Sequence, residues 1–161
     1  VSTLTLNDTA SLSAGILQVG QTSQGIFNQN GGAVTLSGNL QMGNGGGSSA
    51  SRYNLASGTV TMITLSIGAA DAGVDGGTYF NFTAGSTGSL TIAGTAGNLN
   101  TRIDNGWIRV DGTAYASGNA IWDIVESGGN ATLTVIPEPS ASALFVGISL
   151  LAVGIARRKR A

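Results

Sequence analysis

Residues 27–43 read FNQNGGAVTLSGNLQMG, and residues 53–68 read YNLASGTVTMITLSIG. Both segments begin with an aromatic residue and Asn, place Val-Thr seven positions after the aromatic residue, and close on an alternating triplet followed by Gly. A third, looser copy runs from Phe80-Asn81 to Gly94, so the aromatic residue recurs after 26 and then 27 residues. A period of this size indicates stacked repeats, in which each unit buries its apolar face only against its neighbours.

The repeated triplets alternate apolar, polar and apolar residues, which is the period of a half-buried strand. Gly, Asn or Ser lies within two residues of each of them, and no window of residues 1–136 keeps helical spacing over ten residues. We therefore expect an all-β body. The triplets are Leu4-Thr5-Leu6, Leu17-Gln18-Val19, Val34-Thr35-Leu36, Leu40-Gln41-Met42, Val60-Thr61-Met62, Leu65-Ser66-Ile67 and Leu90-Thr91-Ile92.

Three short strands in a period near 25 residues predict one coil of a right-handed parallel β-helix, repeated over residues 1–99. An antiparallel β-sandwich is the alternative, because Asn-Gly pairs such as 30–31, 44–45 and 105–106 also suit hairpin turns. The β-helix predicts an aromatic ladder inside the coils and an amide ladder at a coil corner. Their members are Phe27, Tyr53 and Phe80, and Asn28, Asn54 and Asn81.

Residues 100–136 lose the repeat and hold both tryptophans, and we expect them to form a capping β segment on the open edge of the last coil. Ile108–Val110, Ile121–Val125 and Leu133–Val135 are predicted strands. The three bulky aromatic residues of this segment have two interpretations, packing within the cap or a platform that stacks on sugar rings. They are Trp107, Tyr115 and Trp122.

Several kinds of catalytic and metal site are excluded by composition. The chain contains no His, the commonest general base, and no Cys, so it has no disulfides or thiolate sites. Residues 71–77, with Asp71 and Asp75, faintly resemble an acidic calcium loop, but calcium needs six to eight oxygen ligands. We expect a surface turn there, and no metal or cofactor.

Paired carboxylates could still support glycoside hydrolysis, as in a β-helical polysaccharide lyase or hydrolase. Such sites gather several Asp with Arg or Lys on one face of the coil, whereas the regular coils up to residue 70 contain only Asp8 and Arg52. We therefore expect that the protein is not an enzyme. A polysaccharide-active enzyme is the alternative. The remaining carboxylates near the cap are Asp104, Asp111, Asp123 and Glu126.

The net charge of −1 divides unevenly along the chain. Residues 1–136 carry seven acids and three arginines, or −4, and residues 137–161 carry one acid and four cations, or +3. A mildly acidic body without lysine does not offer the basic face that nucleic acid requires. The chain also starts at Val1, with no Met and no signal peptide, so we expect a processed or incomplete N-terminus.

The last 25 residues have three parts: Pro137-Glu138-Pro139-Ser140, an uncharged run over 141–156, and four consecutive cations. As a helix the 16-residue run would be about 24 Å long, which is short for a membrane span of roughly 30 Å. The cations would hold that end in the cytoplasm and leave the body outside. A buried helix and a plain tail anchor are the alternatives. The cations are Arg157, Arg158, Lys159 and Arg160.

This order of motif, apolar run and basic tail resembles the PEP-CTERM sorting signal of Gram-negative bacteria, over residues 137–161. The resemblance implies an exported protein that crosses the inner membrane, is processed by an exosortase near Glu138 to Ser140, and reaches the cell surface or matrix. Such proteins are associated with exopolysaccharide and biofilms. The repeats are similar to the β-strand repeats of autotransporter-type passengers. The predicted function is therefore a non-enzymatic surface or matrix protein.

Overall fold

The computed structural model describes residues 1–43, 50–68 and 77–136. Over these ranges the chain forms a β-solenoid of about four turns, built from twelve strands and one short helix. The elements are β1 (Ser2–Leu6), β2 (Ser11–Ala14), β3 (Leu17–Val19), β4 (Gly25–Leu36), β5 (Asn39–Met42), β6 (Arg52–Met62), β7 (Thr64–Ile67), β8 (Tyr79–Phe82), β9 (Ser89–Ala93), α1 (Ala96–Asp104), β10 (Ile108–Val110), β11 (Trp122–Ser127) and β12 (Asn130–Val135).

Each full coil has three faces. The first face contains β1, the first halves of β4 and β6, then β8 and β10. The second contains β2, the second halves of β4 and β6, then β9, and the third is the sheet β3-β5-β7. All of these neighbours pair in parallel, so the alternative of an antiparallel sandwich is wrong. Every predicted triplet lies within a strand.

The predicted aromatic ladder forms inside the coils. Phe27 and Tyr53 stack with ring centroids 4.7 Å apart, and Tyr53 and Phe80 with centroids 4.8 Å apart. All three rings are buried. The Tyr53 hydroxyl donates to Oε1 of the buried Gln29 at 2.5 Å, and Gln29 Nε2 donates to the carbonyls of Gly32 and Thr59, both at 3.2 Å. This polar cluster inside the core is therefore fully hydrogen-bonded.

The amide ladder forms as well, but at a different place from the one predicted. Asn54 Nδ2 donates to Asn28 Oδ1 at 2.9 Å, and Asn81 Nδ2 donates to Asn54 Oδ1 at 3.1 Å. These residues lie within β4, β6 and β8 rather than at a coil corner. Each follows an inward aromatic residue, and successive side chains of a strand point to opposite faces, so the amides point away from the aromatic ladder. Asn28 and Asn54 are half-buried there, and Asn81 is buried.

The corner between the first and second faces depends on glycine. Gly32 has φ +67° and Gly58, one coil later, has φ +90°. A Cβ at Gly32 would overlap the carbonyl oxygen of Ala10, and a Cβ at Gly58 would overlap the carbonyl oxygen of Gly32. Glycine is therefore required here both by the left-handed backbone and by the close approach of successive coils.

Helix α1 corrects the expectation of an all-β body. It buries Leu99 and Ile103, which lie one turn apart, and replaces the third-face strand after β9. Arg102 Nε donates to the carbonyl of Leu65 at 3.2 Å, and its Nη2 donates to Thr64 Oγ1, so this side chain of the helix binds the edge of β7. The predicted boundary between residues 99 and 100 falls within α1. No helix among the described residues is long and apolar enough to cross a membrane, and the run 141–156 lies outside them.

An antiparallel hairpin ends the parallel series on the second face. Strand β12 pairs with β9 and with β11, both in antiparallel register. The hairpin also contacts the helix, because the Glu126 carboxylate accepts a hydrogen bond from the Ala96 amide at the start of α1. A carboxylate is favourable at that position because it meets the positive end of the helix dipole.

Candidate functional site

Tyr115 and Trp122, two of the three aromatic residues predicted to contact sugar, lie together. Their ring centroids are 6.4 Å apart with an interplanar angle of 84°. Trp122 is only 7% exposed, packs edge-on against Phe82 at 6.3 Å, and donates Nε1–H to the carbonyl of Ala116 at 3.1 Å. Trp122 is therefore part of the core, and Tyr115 is the half-buried ring packed on it.

Trp107 lies apart from this pair. It precedes β10, where its amide donates to the Arg102 carbonyl at 2.9 Å and its carbonyl accepts from the Phe80 amide at 2.8 Å. No ring contact within the described residues joins Trp107 to Tyr115 or Trp122. The structure therefore does not assemble the three predicted residues into one platform.

A tight turn directly after β10 positions a carboxylate beside Tyr115. Asp111 has φ +48° and Gly112 φ +75°, and the flanking Val110 and Thr113 exchange backbone hydrogen bonds of 3.0 and 2.8 Å. Two consecutive positive φ angles are those of a type I′ turn, for which Asp-Gly is a favoured sequence. The Asp-Gly pair is thus a signal for this turn in the sequence, and a search for Asn-Gly pairs misses it.

The turn is attached firmly to the solenoid. The Asp111 amide donates to the Phe82 carbonyl at 2.8 Å, and the Gly112 amide donates to Asn81 Oδ1 at 3.0 Å. The last amide of the ladder therefore ends on this turn. Arg109 Nη1 adds a bond to the Gly112 carbonyl at 3.3 Å, so two buried side chains, those of Asn81 and Arg109, hold the turn in place.

A surface cavity of about 360 Å³ opens beside this turn, and we call it the turn cavity. Asp111, Thr113 and Tyr115 contribute its polar groups and its aromatic ring. Apolar residues from β10, from the end of β12 and the residue after it, from the segment before β11 and from the loop after β8 form the remaining wall. Thr113 and this aliphatic wall were not predicted from the sequence, because they come from segments that meet only at the end of the solenoid. The aliphatic residues include Val110, Ile121 and Val135.

The other carboxylates near the cap have different partners. Asp104 accepts hydrogen bonds from the amide and the hydroxyl of Ser117 at 2.8 and 3.0 Å. Glu126 binds the start of α1, and Asp123 is exposed on β11. Of these four acids, Asp111 alone lines the turn cavity. Within residues 1–43, 50–68 and 77–136, no three acidic, His or Cys side chains are grouped as they would be to hold a metal ion.

The three arginines of the body donate hydrogen bonds to backbone carbonyls, and two of them also contact an aromatic ring. Arg52 lies over the Tyr79 ring at 3.7 Å, and Arg109 lies 4.6 Å from the same ring. Each of the three arginines donates to backbone carbonyls, Arg109 to that of Gly106 at 3.1 Å. Burial against β7 lowers the pKa of Arg102, and burial in the core raises the pKa of Tyr53. These cations therefore stabilise loops and edges of the solenoid.

The second face presents two rows of small uncharged side chains, all with a hydroxyl group except Ala33, and we call it the hydroxyl face. It extends across five strands, from β2 through β4, β6 and β9 to β12, and its hydroxyls approach one another, as in the 2.9 Å contact of Thr91 Oγ1 with Thr132 Oγ1. All ten positions are exposed or half-exposed, and none is charged. One row is Ser13, Thr35, Thr61, Thr91 and Thr132, and the other is Ser11, Ala33, Thr59, Ser89 and Thr134.

The remaining predicted sites lie outside the described residues. They are the acidic turn with Asp71 and Asp75, the sorting motif of Pro137, Glu138, Pro139 and Ser140, and the basic tail of Arg157, Arg158, Lys159 and Arg160. Compared with protein-family models, with curated proteins and with solved structures, the chain matches none. Its function therefore has to be argued from its own geometry and sequence.

Proposed function

We propose that this protein is an exported, non-enzymatic cell-surface or extracellular-matrix protein that contacts exopolysaccharide through the hydroxyl face. The observation that carries the proposal is the face itself: two uncharged rows on five adjacent strands. Neighbouring strands are about 4.8 Å apart, so hydroxyls and methyls recur at a fixed spacing on a rigid surface. A polysaccharide strand could make many weak hydrogen bonds there at little cost in ordering the protein.

The tail supports export and sorting. The uncharged run over 141–156, closed by four cations, is proposed as a short transmembrane helix that passes through the inner membrane of a Gram-negative bacterium. An exosortase would cut near Glu138 to Ser140 and release or attach the body outside. The coils of the body are proposed to be right-handed, because crossover connections between parallel strands have that hand in nearly all proteins.

A polysaccharide lyase or hydrolase remains the alternative. Its chemistry needs carboxylates and a cation in one groove. Here Asp104 and Glu126 each accept hydrogen bonds within the fold, while Arg102 is bonded to the edge of β7. This arrangement favours the non-enzymatic proposal. Release of reducing or unsaturated ends from the host polysaccharide would favour the enzyme instead.

The sorting proposal is tested in a Gram-negative host with and without an exosortase. The full chain carries a tag in the body, and its intact mass is measured in membrane, surface and medium fractions. We expect loss of the tail and departure from the membrane only when the exosortase is present, and no processing of a Pro137→Ala, Glu138→Ala double variant. A full-length mass that stays in the membrane in both hosts would contradict it.

The contact proposal is tested by co-sedimentation of the full chain with the host exopolysaccharide. Thr35→Lys combined with Thr61→Lys places two charged, bulky side chains in the middle of the hydroxyl face. We expect binding to fall by about tenfold or more, which corresponds to roughly 1.4 kcal/mol. The matched control is Gln18→Lys with Gln41→Lys, which introduces the same charges in a row on the third face. An equal loss in both variants would contradict a specific role of the hydroxyl face.

A further inference from the structure

We propose that the turn cavity is a binding subsite for one ring of a neutral or amino sugar, and that it disfavours acidic sugars. This inference rests on the proposed contact with exopolysaccharide and names the sugar class that one site would select. It differs from the hydroxyl face in kind, because the face offers repeated weak contacts along the polymer whereas the cavity has room for a single sugar ring.

The size and lining of the cavity suit a sugar ring. Its volume of about 360 Å³ lies within the range of ligand pockets. A sugar ring has an apolar C–H face and a rim of hydroxyls. The Tyr115 ring and the aliphatic wall provide the apolar surface, while Asp111 and Thr113 provide hydrogen-bonding groups on the same cavity. The arrangement combines an aromatic surface with few polar groups, as small-molecule sites usually do.

The polar groups of the cavity are held in place but remain available. Asp111 sits on a turn closed by two backbone bonds and attached to Phe82 and Asn81. Its carboxylate accepts no hydrogen bond from the residues that the structure describes. Tyr115 is supported by the edge-to-face contact with Trp122, which is itself bonded to the Ala116 carbonyl. A preorganised site of this kind loses little conformational entropy when it binds a ligand.

The charge of the cavity decides the class of sugar. Asp111 lines it, and no Lys or Arg is among the described residues that do so. A uronic acid carboxylate would lie near a like charge, which is unfavourable, whereas a protonated amine would be attracted. The expected order of affinity is therefore amino sugar first, neutral sugar second and acidic sugar last. Since Asp111 is exposed, salt should weaken the preference for the amino sugar.

The test is calorimetric titration of the full chain, kept in a zwitterionic detergent without a sugar headgroup. The probes are β-1,4-linked trimers of glucosamine and glucose and the trimer of galacturonic acid, at low salt. We expect the glucosamine trimer to bind most tightly, the glucose trimer next and the galacturonic acid trimer last. The affinity for the acidic trimer should be at least about tenfold lower than for the glucose trimer. Equal binding of all three trimers, or binding of none, would overturn the inference.

Three variants assign the effect to the cavity. Asp111→Asn should keep binding of the glucose trimer and remove the preference for glucosamine, because Asn also tolerates the left-handed backbone. Tyr115→Ala should weaken both trimers about tenfold or more, whereas Tyr115→Phe keeps the ring and should retain most binding. The control Asp123→Asn removes an exposed carboxylate on β11 that does not line the cavity, and it should change nothing.

The outcomes separate this inference from the proposed function. If the chain is processed and co-sediments with exopolysaccharide but binds no trimer, the cavity proposal is wrong and the proposed function stands. If Asp111→Asn and Asp123→Asn alter selectivity equally, the preference comes from net charge and the cavity proposal is again wrong. If the trimers bind as expected but processing and co-sedimentation both fail, the proposed function is wrong.

Discussion

Tyr53 is the residue on which two features of the core converge. Its ring is the middle member of the aromatic ladder, and its hydroxyl donates to Gln29 Oε1 in the interior. Burial raises its pKa in the folded protein, because the phenolate would lose the solvation it has in water. The ring is therefore fixed by packing, and the hydroxyl supplies the donor that the buried amide oxygen requires.

Replacing Tyr53 with Phe should alter both stability and its dependence on pH. At pH 8 the variant should be less stable by about 1–3 kcal/mol, because Gln29 Oε1 loses its donor. Because the pKa of Tyr53 is raised in the folded protein, the stabilisation linked to its neutral hydroxyl is fully present below pH 10, the usual pKa of Tyr. That stabilisation is lost as the pH rises above 10, by up to about 1.4 kcal/mol per pH unit. The phenyl ring of the variant cannot ionise, so the variant lacks this loss of stability above pH 10.

The measurement is urea unfolding of both proteins at pH 8, 10 and 11. The difference in unfolding free energy between the two proteins should narrow above pH 10, because Tyr53 is the one ionisable group in which they differ. Parallel losses of stability in the two proteins over this range would show that Tyr53 does not account for the alkaline transition.

Gly32 should tolerate substitution much less well than a glycine with a similar backbone in open space. Gly32→Ala combines a left-handed residue with an overlap on the Ala10 carbonyl, and should cost about 3 kcal/mol or more. Gly128, in the β11–β12 turn, has φ +58° and no neighbouring heavy atom, so Gly128→Ala should cost only about 1–2 kcal/mol. Thermal or urea unfolding compares them, and equal costs would argue against the coil-to-coil contact.

At the scale of elements, α1 depends on the solenoid for its stability. The helix has nine residues, which is too short to be stable alone, and its sequence includes Gly97 and two Asn. Leu99 and Ile103 pack it on the core, and Arg102 joins it to β7. The Arg102 side chain in turn occupies hydrogen-bonding groups on the edge of β7, and unoccupied strand edges favour pairing with other chains.

Arg102→Ala should therefore reduce stability and increase self-association. The loss of its bonds to Leu65 and Thr64 should cost about 1–3 kcal/mol, because the Leu65 carbonyl loses a charged donor. Unfolding and light scattering measure the two effects. The control is Thr101→Ala, which removes only a bond within the helix, to the Gly97 carbonyl. A variant as monomeric as the parent protein would contradict the role of α1 as an edge cover.

At the scale of the whole molecule, the solenoid is not uniformly buried. Strands β1 and β2 are mostly exposed, and Leu4 is 56% exposed, whereas β6 alternates half-buried with buried residues over its first half. Strand β6 has neighbours on both sides, while β1 and β2 pair with β4 alone among the described residues. In a solenoid each coil is stabilised mainly by its nearest neighbours, so opening should begin at the first coil.

Hydrogen exchange should show this gradient. We expect the amides of β1 and β2 to exchange at least about tenfold faster than the amides of β6, because local opening of the first coil costs less than opening of the whole core. Peptide-resolved exchange of the full chain under native conditions measures it, with β9, which is paired on both sides, as the internal reference. Uniform protection from β1 to β9 would mean that the coils open as one unit.

The sequence by itself determined the repeating part of the fold. Period-2 alternation is a local property, so each of the seven triplets could be assigned to a strand, and all seven are in strands. The ladder residues were predictable for a related reason, since the same residue type at the same place in each repeat meets its equivalent when coils stack in parallel. Phe27 therefore stacks on Tyr53, and Asn28 bonds to Asn54.

The end of the solenoid was decided only by the tertiary structure. Helix α1 forms because β7 and the core hold it, which no nine-residue pattern reveals. The hairpin β11–β12 places Trp122 in the core, while the Asp111–Gly112 turn brings a carboxylate to Tyr115. These contacts join segments without a common repeat, so the partner of each residue depends on where the chain folds back. Local alternation specifies which residues face inward, but not which of them meet.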